Sequence, residues 1–487
     1  MAVRTARIAL IPAVAASLLG GCGGHKDSTW PVSSGDLKGT RSAAGSAITS
    51  NNVAGLRARW RFRFTAKPGF SGVFASTPVV DKDTVYVQDL RSNVFALNRS
   101  TGTLRWVQRF RASNDGPNGL VVDGGRVYGA TDADAFALSA SNGRELWHVH
   151  LARKREQLID IAPVAWEGLV FLSTTGDAPR GRGGIYALDA ATGTVRWKFV
   201  TIAHPARYPL EAGGGELSYP VSVDTGGRLY AGNSSPTPVG GTPARPNGGA
   251  FPGPVPYTDS LLVLDAATGR LLWHDQVTPH DIRDYDFQAT PILASRAGNG
   301  VVFGAGKAGR VIAWNLETHR RLWDVPVGLH RNDEGPLPQH RVTVCPGLLG
   351  GVETPMAYAD GRLFVAVVDL CGLGSAAARQ ELPSVDPTSG TGRLVALDAD
   401  SGRVLWQHRL RSPDFGCATV SNDVVFTSTF DGTVYAFSVQ GGKLLWHARM
   451  GAGVNACPAV VGDTLLVGSG VRRPGGPVPE LVAFALR

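Results

Sequence analysis

The sequence predicts an all-β fold, an eight-bladed β-propeller with four antiparallel strands per blade, from three observations. The first is a tryptophan that follows an apolar triplet at one fixed distance. Leu97 and Trp106, Leu138 and Trp147, Leu188 and Trp197, Leu264 and Trp273, Trp314 and Trp323, Leu397 and Trp406, and Phe437 and Trp446 are all nine residues apart. The second is the turn between them: Thr101-Gly102, Asn142-Gly143, Thr192-Gly193, Thr268-Gly269, Ser401-Gly402 and Gly441-Gly442. A short apolar strand, a tight glycine turn and a second strand make a hairpin. The third is a pair of orphans at the chain ends. Trp60 has no triplet before it, and Val482-Ala483-Phe484 has no tryptophan after it. Joined, they make the eighth blade and leave no open sheet edge at the seam.

Each unit reads outwards from the axis as strands A to D. In the first these are 76–80, 84–87, the triplet and the tryptophan strand. At 487 residues a repeat of this kind still makes one domain, here 49–487. Sixty-two glycines and thirty-one prolines fit many short strands joined by turns. The formal charge of +8 contains no run of five Lys or Arg, which argues against nucleic acid as a partner.

Residues 1–22 read as a targeting segment. Arg4 and Arg7 precede an apolar stretch from Ile8 to Leu19, too short to span a membrane. Leu19-Gly20-Gly21-Cys22 resembles the lipobox of bacterial lipoproteins, in which the cysteine is lipidated. Residues 23–48 would then form a tether, and the domain would work outside the cytoplasm on a membrane face. That compartment is oxidising, and four cysteines remain. Cys345 and Cys371 fall in one unit, while Cys417 and Cys457 open equivalent strands of adjacent units. Placement therefore favours the pairs 345–371 and 417–457 among three possibilities. No cysteine has metal-ligand spacing, and there is no haem-attachment motif.

Antiparallel order puts A–B and C–D turns on one face, and B–C turns and D–A crossings on the other. The long insertions 201–218, 234–257, 276–287, 328–351 and 371–390 all belong to the second face. Function is expected there, since loops on a rigid scaffold carry sites. The same loops hold the polar candidates. Asn233 ends a B strand, and Asp177 follows the B strand of the preceding unit. The 278–286 crossing carries His280, Asp281, Asp284 and Asp286. Lys307 lies in the glycine-rich turn 304–309.

Tyr257 to Asp265, Trp273 to Asp284 and the segment Cys345 to Gly350 with Cys371 resemble the pyrroloquinoline quinone (PQQ) dependent alcohol dehydrogenases, typified by methanol dehydrogenase. The resemblance spans nearly the whole chain after the targeting segment and supports the 345–371 pair. It implies a dehydrogenase that oxidises an alcohol or sugar-like hydroxyl with PQQ and Ca²⁺ and passes electrons to a separate carrier protein. It implies Asp284 as general base, Asn233 and Asp177 as Ca²⁺ ligands, and Lys307, Ser218 and Glu353 as cofactor contacts. Hard oxygen ligands suit Ca²⁺, and a carboxylate suits proton removal. Four positions depart from the family. Ser218 stands where a stacking tryptophan is expected, and Gly119-Leu120-Val121 lacks a vicinal cysteine pair. Asp177 replaces a longer glutamate, and Glu353 replaces an asparagine. The chain also resembles the outer-membrane assembly lipoprotein that shares the PQQ-type repeat, which implies a non-catalytic scaffold binding partner proteins. The 278–286 loop weighs for the enzyme, and the absent tryptophan for the scaffold. A propeller binding another small ligand on the same face is a third reading.

Overall fold

The computed structural model describes residues 29–64, 74–112, 114, 116–153, 157–176, 181–202, 213–248, 251, 253–296, 298–378, 386–470 and 478–486. The targeting segment with Cys22, the first residues of the tether and Asp177 lie outside the described residues. Eight four-stranded antiparallel sheets form the blades. Blades 1 to 7 span residues 79–108, 121–150, 164–200, 222–276, 292–326, 357–410 and 419–449. Blade 8 takes three strands from 459–485 and its outermost from Arg57–Arg63. In that seam Trp60 pairs with Ala483, and Arg63 with Glu480. The closure expected from the two orphans is present.

Alternation explains each blade. In blade 8 the outer strand exposes Arg59, Arg61 and Arg63, while Trp60 is buried and Phe62 half-buried. The apolar faces of neighbouring blades meet in continuous clusters; one holds Val79, Tyr86, Val94 and Ala96 from blade 1 with Leu120, Val127, Phe136 and Leu138 from blade 2. Burying each of the Val, Leu and Phe side chains is worth about 1.5–3 kcal/mol.

The tryptophans join blades rather than strands. The Trp106 indole N–H donates to Ala140 O at 3.0 Å, Trp147 to Ala190 O at 3.1 Å, and Trp197 to Ala266 O at 2.9 Å. Trp60 likewise reaches Arg99 O of blade 1 at 2.8 Å, and Trp446 reaches Leu56 O at 3.2 Å, ahead of the closing strand. The ring lies over the glycine turn of the next blade. Gly102 sits at φ +70°, and a Cβ there would come within 2.6 Å of the Trp60 ring. Repeated glycine is therefore a docking requirement as well as a turn requirement. Blade 5 breaks the rule: His319, at φ 60°, replaces the glycine, and Trp273 stacks on its ring at 4.6 Å.

Both expected disulfides are formed, Cys345–Cys371 and Cys417–Cys457. The second links residues just before the innermost strands of blades 7 and 8.

One expectation is corrected. From Trp30 onward the segment placed in the 23–48 tether is a strap packed against the plain end of the axis. Trp30 and Arg41 are each 1% exposed. The strap bonds to the innermost strands in blade order. Trp30 pairs with Val80, and Pro31 O accepts from Val122 N. Leu37, Lys38, Thr40 and Arg41 carbonyls accept from Val223, Leu293, Tyr358 and Val420 N–H groups, and Ala47 N donates to Gly462 O. These bonds, all 2.8–2.9 Å long, reach blades 1, 2, 4, 5, 6, 7 and 8.

Candidate active site

The 276–287 crossing from blade 4 to blade 5 organises itself around Asp281. Its carboxylate accepts Arg283 N at 2.7 Å and Tyr285 N at 2.5 Å, an Asx-type turn that reverses the chain. Arg283 then donates to the carbonyls of Asn332, Glu334 and Gly335, pinning the 328–351 insertion to the crossing. The turn forces Asp284 to φ +68° and points Asp284 and Asp286 towards one ammonium. Lys307 Nζ lies 2.7 Å from Asp284 Oδ2 and 2.5 Å from Asp286 Oδ2. Ser235, after the B strand of blade 4, braces both: its N–H donates to Asp286 Oδ1 at 2.7 Å and its hydroxyl to Asp284 Oδ1 at 3.2 Å. Three of the expected elements are thus brought together.

Around this triad the interior is rich in carboxylates. Glu353 is 8% exposed; its Oε2 accepts Gln288 Nε2 at 2.9 Å, and its Oε1 has no hydrogen-bond partner. Burial pushes its pKa up to about 7, and Lys307 opposes the rise. Burial, against the two backbone N–H bonds, also raises Asp281 to about 7. Asp284 is raised by burial and then by Asp286, while Lys307 works to keep it ionised. Lys307 lies well above the usual lysine value because the charges of Asp284, Asp286 and Glu353 outweigh its desolvation.

The remaining candidates lie nearby in more local roles. Asn233 is fully buried, and its carboxamide braces the 257–260 segment: Nδ2 donates to Tyr257 O, and Oδ1 accepts Ser260 N at 2.9 Å. Ser218 Oγ is 3.1 Å from Ser234 Oγ. His280 is exposed, with Nε2 2.9 Å from Asn247 O, a structural hydrogen bond.

Sequence reasoning missed Asp259. It is 0% exposed at φ +47°, and both carboxylate oxygens are buried without a hydrogen-bond partner. Burial lifts it well above the usual carboxylate range, and Asp281, Asp286, Asp284 and Glu216 add to the lift. In sequence it is a single acid ahead of a strand that runs Ser260, Leu261, Leu262, Val263, Leu264, a position that turn residues commonly occupy.

The donor set fits a hard cation. Asp259 offers two unsatisfied oxygens and Glu353 one; Asp284, Asp286 and Glu353 face Lys307, and Asp259 feels the charges of Asp281, Asp284 and Asp286. No three His, Cys, Asp or Glu side chains among the described residues are already gathered as a metal site. The set fits a quinone in one respect, the Lys307 ammonium beside Asp284, while no aromatic ring stands at Ser218.

The chain is 27% identical over 512 residues to a quinohemoprotein alcohol dehydrogenase of Comamonas testosteroni, covering 88% of this chain and 70% of that protein. The crystal structure of the quinohemoprotein alcohol dehydrogenase from that organism superposes with a TM-score of 0.80 at 23% identity, over 94% of this chain and 80% of the other. BamB from Moraxella catarrhalis superposes with a TM-score of 0.56 at 14% identity, over 88% and 99%. The fold is that of the quinoprotein alcohol dehydrogenases. The PQQ-repeat family model, described as outer membrane protein assembly factor BamB, matches residues 46–239, 153–344 and 339–478. With nearly every blade inside those matches, the chain belongs to this family of PQQ-repeat propellers.

Proposed function

We propose that this protein is a quinoprotein-type dehydrogenase that oxidises an alcohol or sugar-like hydroxyl with PQQ and Ca²⁺. The carrying observation is the Asp284–Lys307–Asp286 triad at 2.7 and 2.5 Å, set among buried carboxylates on the elaborated face. When bound, PQQ would supply a two-electron acceptor and Ca²⁺ a Lewis acid. Lys307, Ser218 and Glu353 would hold the quinone; Asp259, Asn233 and Asp177 would hold the cation. Asp284 takes the hydroxyl proton on a carboxylate oxygen, and its ion pair with Lys307 opposes the rise in pKa that burial and Asp286 impose. Ser235 and the Asp281 turn fix its direction. Electrons leave to a separate carrier protein. The domain is exported by residues 1–22 and anchored through a lipid on Cys22.

The test is dye-linked alcohol oxidation by protein loaded with PQQ and Ca²⁺. Asp284→Asn should retain the quinone absorbance and lose turnover at least a hundredfold, the scale of general-base catalysis. Full activity in that variant removes Asp284 as the base. The absent aromatic ring at Ser218 favours a second reading, a scaffold that binds partner proteins. Loaded wild-type protein that oxidises no alcohol supports it.

A further inference from the structure

The outermost strand of blade 2, Glu145–His150, carries His148 and His150 two positions apart. Alternation puts both on one face of the strand, opposite the buried Trp147, and leaves their side chains 63% and 59% exposed. They lie about 6.7 Å apart along the strand, twice the rise per residue. This is the outer rim of the ring, whereas Asp284 and Lys307 meet on the elaborated face between blades 4 and 5.

Each ring is held in the same way. His148 Nδ1 lies 2.7 Å from Glu145 Oε1, and His150 Nδ1 lies 2.7 Å from Asp134 Oδ1 on the neighbouring strand of the blade. An ionised carboxylate only accepts, so this bond places the proton of a neutral imidazole on Nδ1. The lone pair then falls on Nε2 in both residues, and neither Nε2 has a hydrogen-bond partner among the described residues. Exposed pairs of this kind contribute at most about 1 kcal/mol to stability. Their larger effect is to fix tautomer and ring direction, the arrangement in which a histidine binds a metal through one nitrogen and is braced by a carboxylate through the other. His330 shows the contrast: its Nδ1 meets Asp333 at 2.6 Å, but Val327 O occupies its Nε2 at 3.2 Å.

We propose that His148 and His150 form a surface site for one first-row divalent transition-metal ion, bound through both Nε2 atoms, with Cu²⁺ the tightest and Ni²⁺ and Zn²⁺ weaker. Imidazole suits these ions, while Mg²⁺ and Ca²⁺ prefer oxygen ligands. Two imidazoles are the ligands from this chain, and water fills the remaining positions. Glu145 and Asp134 are positioning residues that act through the rings. The site is independent of the dehydrogenase reading and needs no quinone.

The experiment titrates the purified full chain with Cu²⁺, without PQQ and in excess Ca²⁺, which competes for the buried carboxylates. Calorimetry reads the affinity, and electron paramagnetic resonance reads the ligands. The expected result is saturable binding of one Cu²⁺ at micromolar concentration, with hyperfine splitting from two imidazole nitrogens. His148→Gln and His150→Gln should each weaken binding about tenfold or more and leave one nitrogen in the spectrum. Both side chains are exposed, so the Tm of the metal-free protein should not move. Asp134→Ala keeps both ligands and should weaken binding about tenfold through the lost brace. No saturable Cu²⁺ binding by the wild-type chain overturns the proposal, as does an unchanged midpoint in either histidine variant. An unchanged midpoint in Asp134→Ala overturns the bracing role.

Discussion

Lys307 stands between Asp284 and Asp286 because three carboxyl groups, the half-buried Asp284 and the buried Asp286 and Glu353, act on one ammonium. Glu353 shows what such crowding costs. Its pKa rises from 4.5 in the unfolded chain to about 7 in the fold. The folded state therefore holds a proton that the unfolded chain releases, and stability falls as pH climbs through that window. At roughly 1.4 kcal/mol per pKa unit, the loss is on the order of 3 kcal/mol. Urea unfolding of the cofactor-free protein should show it between pH 4.5 and 7, and Glu353→Gln should flatten that part of the curve. An unchanged slope in the variant would place the titration on Asp281 instead, the other group raised to about 7. Cation binding runs the other way. Ionised carboxylates are the better ligands, so Ca²⁺ should raise Tm more at pH 8 than at pH 5. The Asp284 crossing and Lys307 were legible in the sequence because they sit in an acidic loop and a glycine-rich turn, both with strong local signals. Asp259 was hidden because one acid at the head of an apolar strand looks like ordinary turn chemistry. Only the burial of both its oxygens distinguishes it.

At the scale of the element, the C–D turn decides how blades meet. Gly102 carries two burdens, a positive φ and the Trp60 ring against its α-carbon. Gly124 carries only the first, with φ +54° and open space around it. Gly124→Ala should therefore cost about 1–2 kcal/mol, the left-handed penalty alone. Gly102→Ala should cost clearly more, about 3 kcal/mol or above, because Trp60 has to leave its dock. Urea midpoints of the two variants compare them directly; equal losses would mean that the tryptophan contact contributes nothing. The hairpins were legible because one spacing recurs seven times. The strap was misread because it is built from Ser33, Ser34, Gly35, Gly39, Ser42 and Gly45, the composition of a linker. Small residues are required there for a packing reason. A Cβ on Gly39 would come within 2.8 Å of Ser222 Oγ and 3.1 Å of Thr290 Cγ2, where the strap crosses two blades.

At the scale of the molecule, closure turns eight sheets into one cooperative ring. The last strand, Glu480–Ala485, pairs on one side with Thr464–Ser469 and on the other with Arg57–Arg63. Removing residues 480–487 should therefore abolish the single unfolding transition and leave aggregation-prone protein. A propeller of independent units would lose only one blade's share of the signal and keep its midpoint. Closure also gathers the insertions of blades 4, 5 and 6 at one mouth, where Ser235, Asp284, Lys307 and Glu353 meet. On the proposed reading, this mouth holds a quinone next to a hard cation. Its most direct measurement is an absorbance titration of the full chain with PQQ, with and without Ca²⁺. PQQ should bind saturably at micromolar concentration, only with Ca²⁺ present, and no longer in Lys307→Met. No saturable change at micromolar PQQ, or binding indifferent to both Ca²⁺ and Lys307, would contradict it.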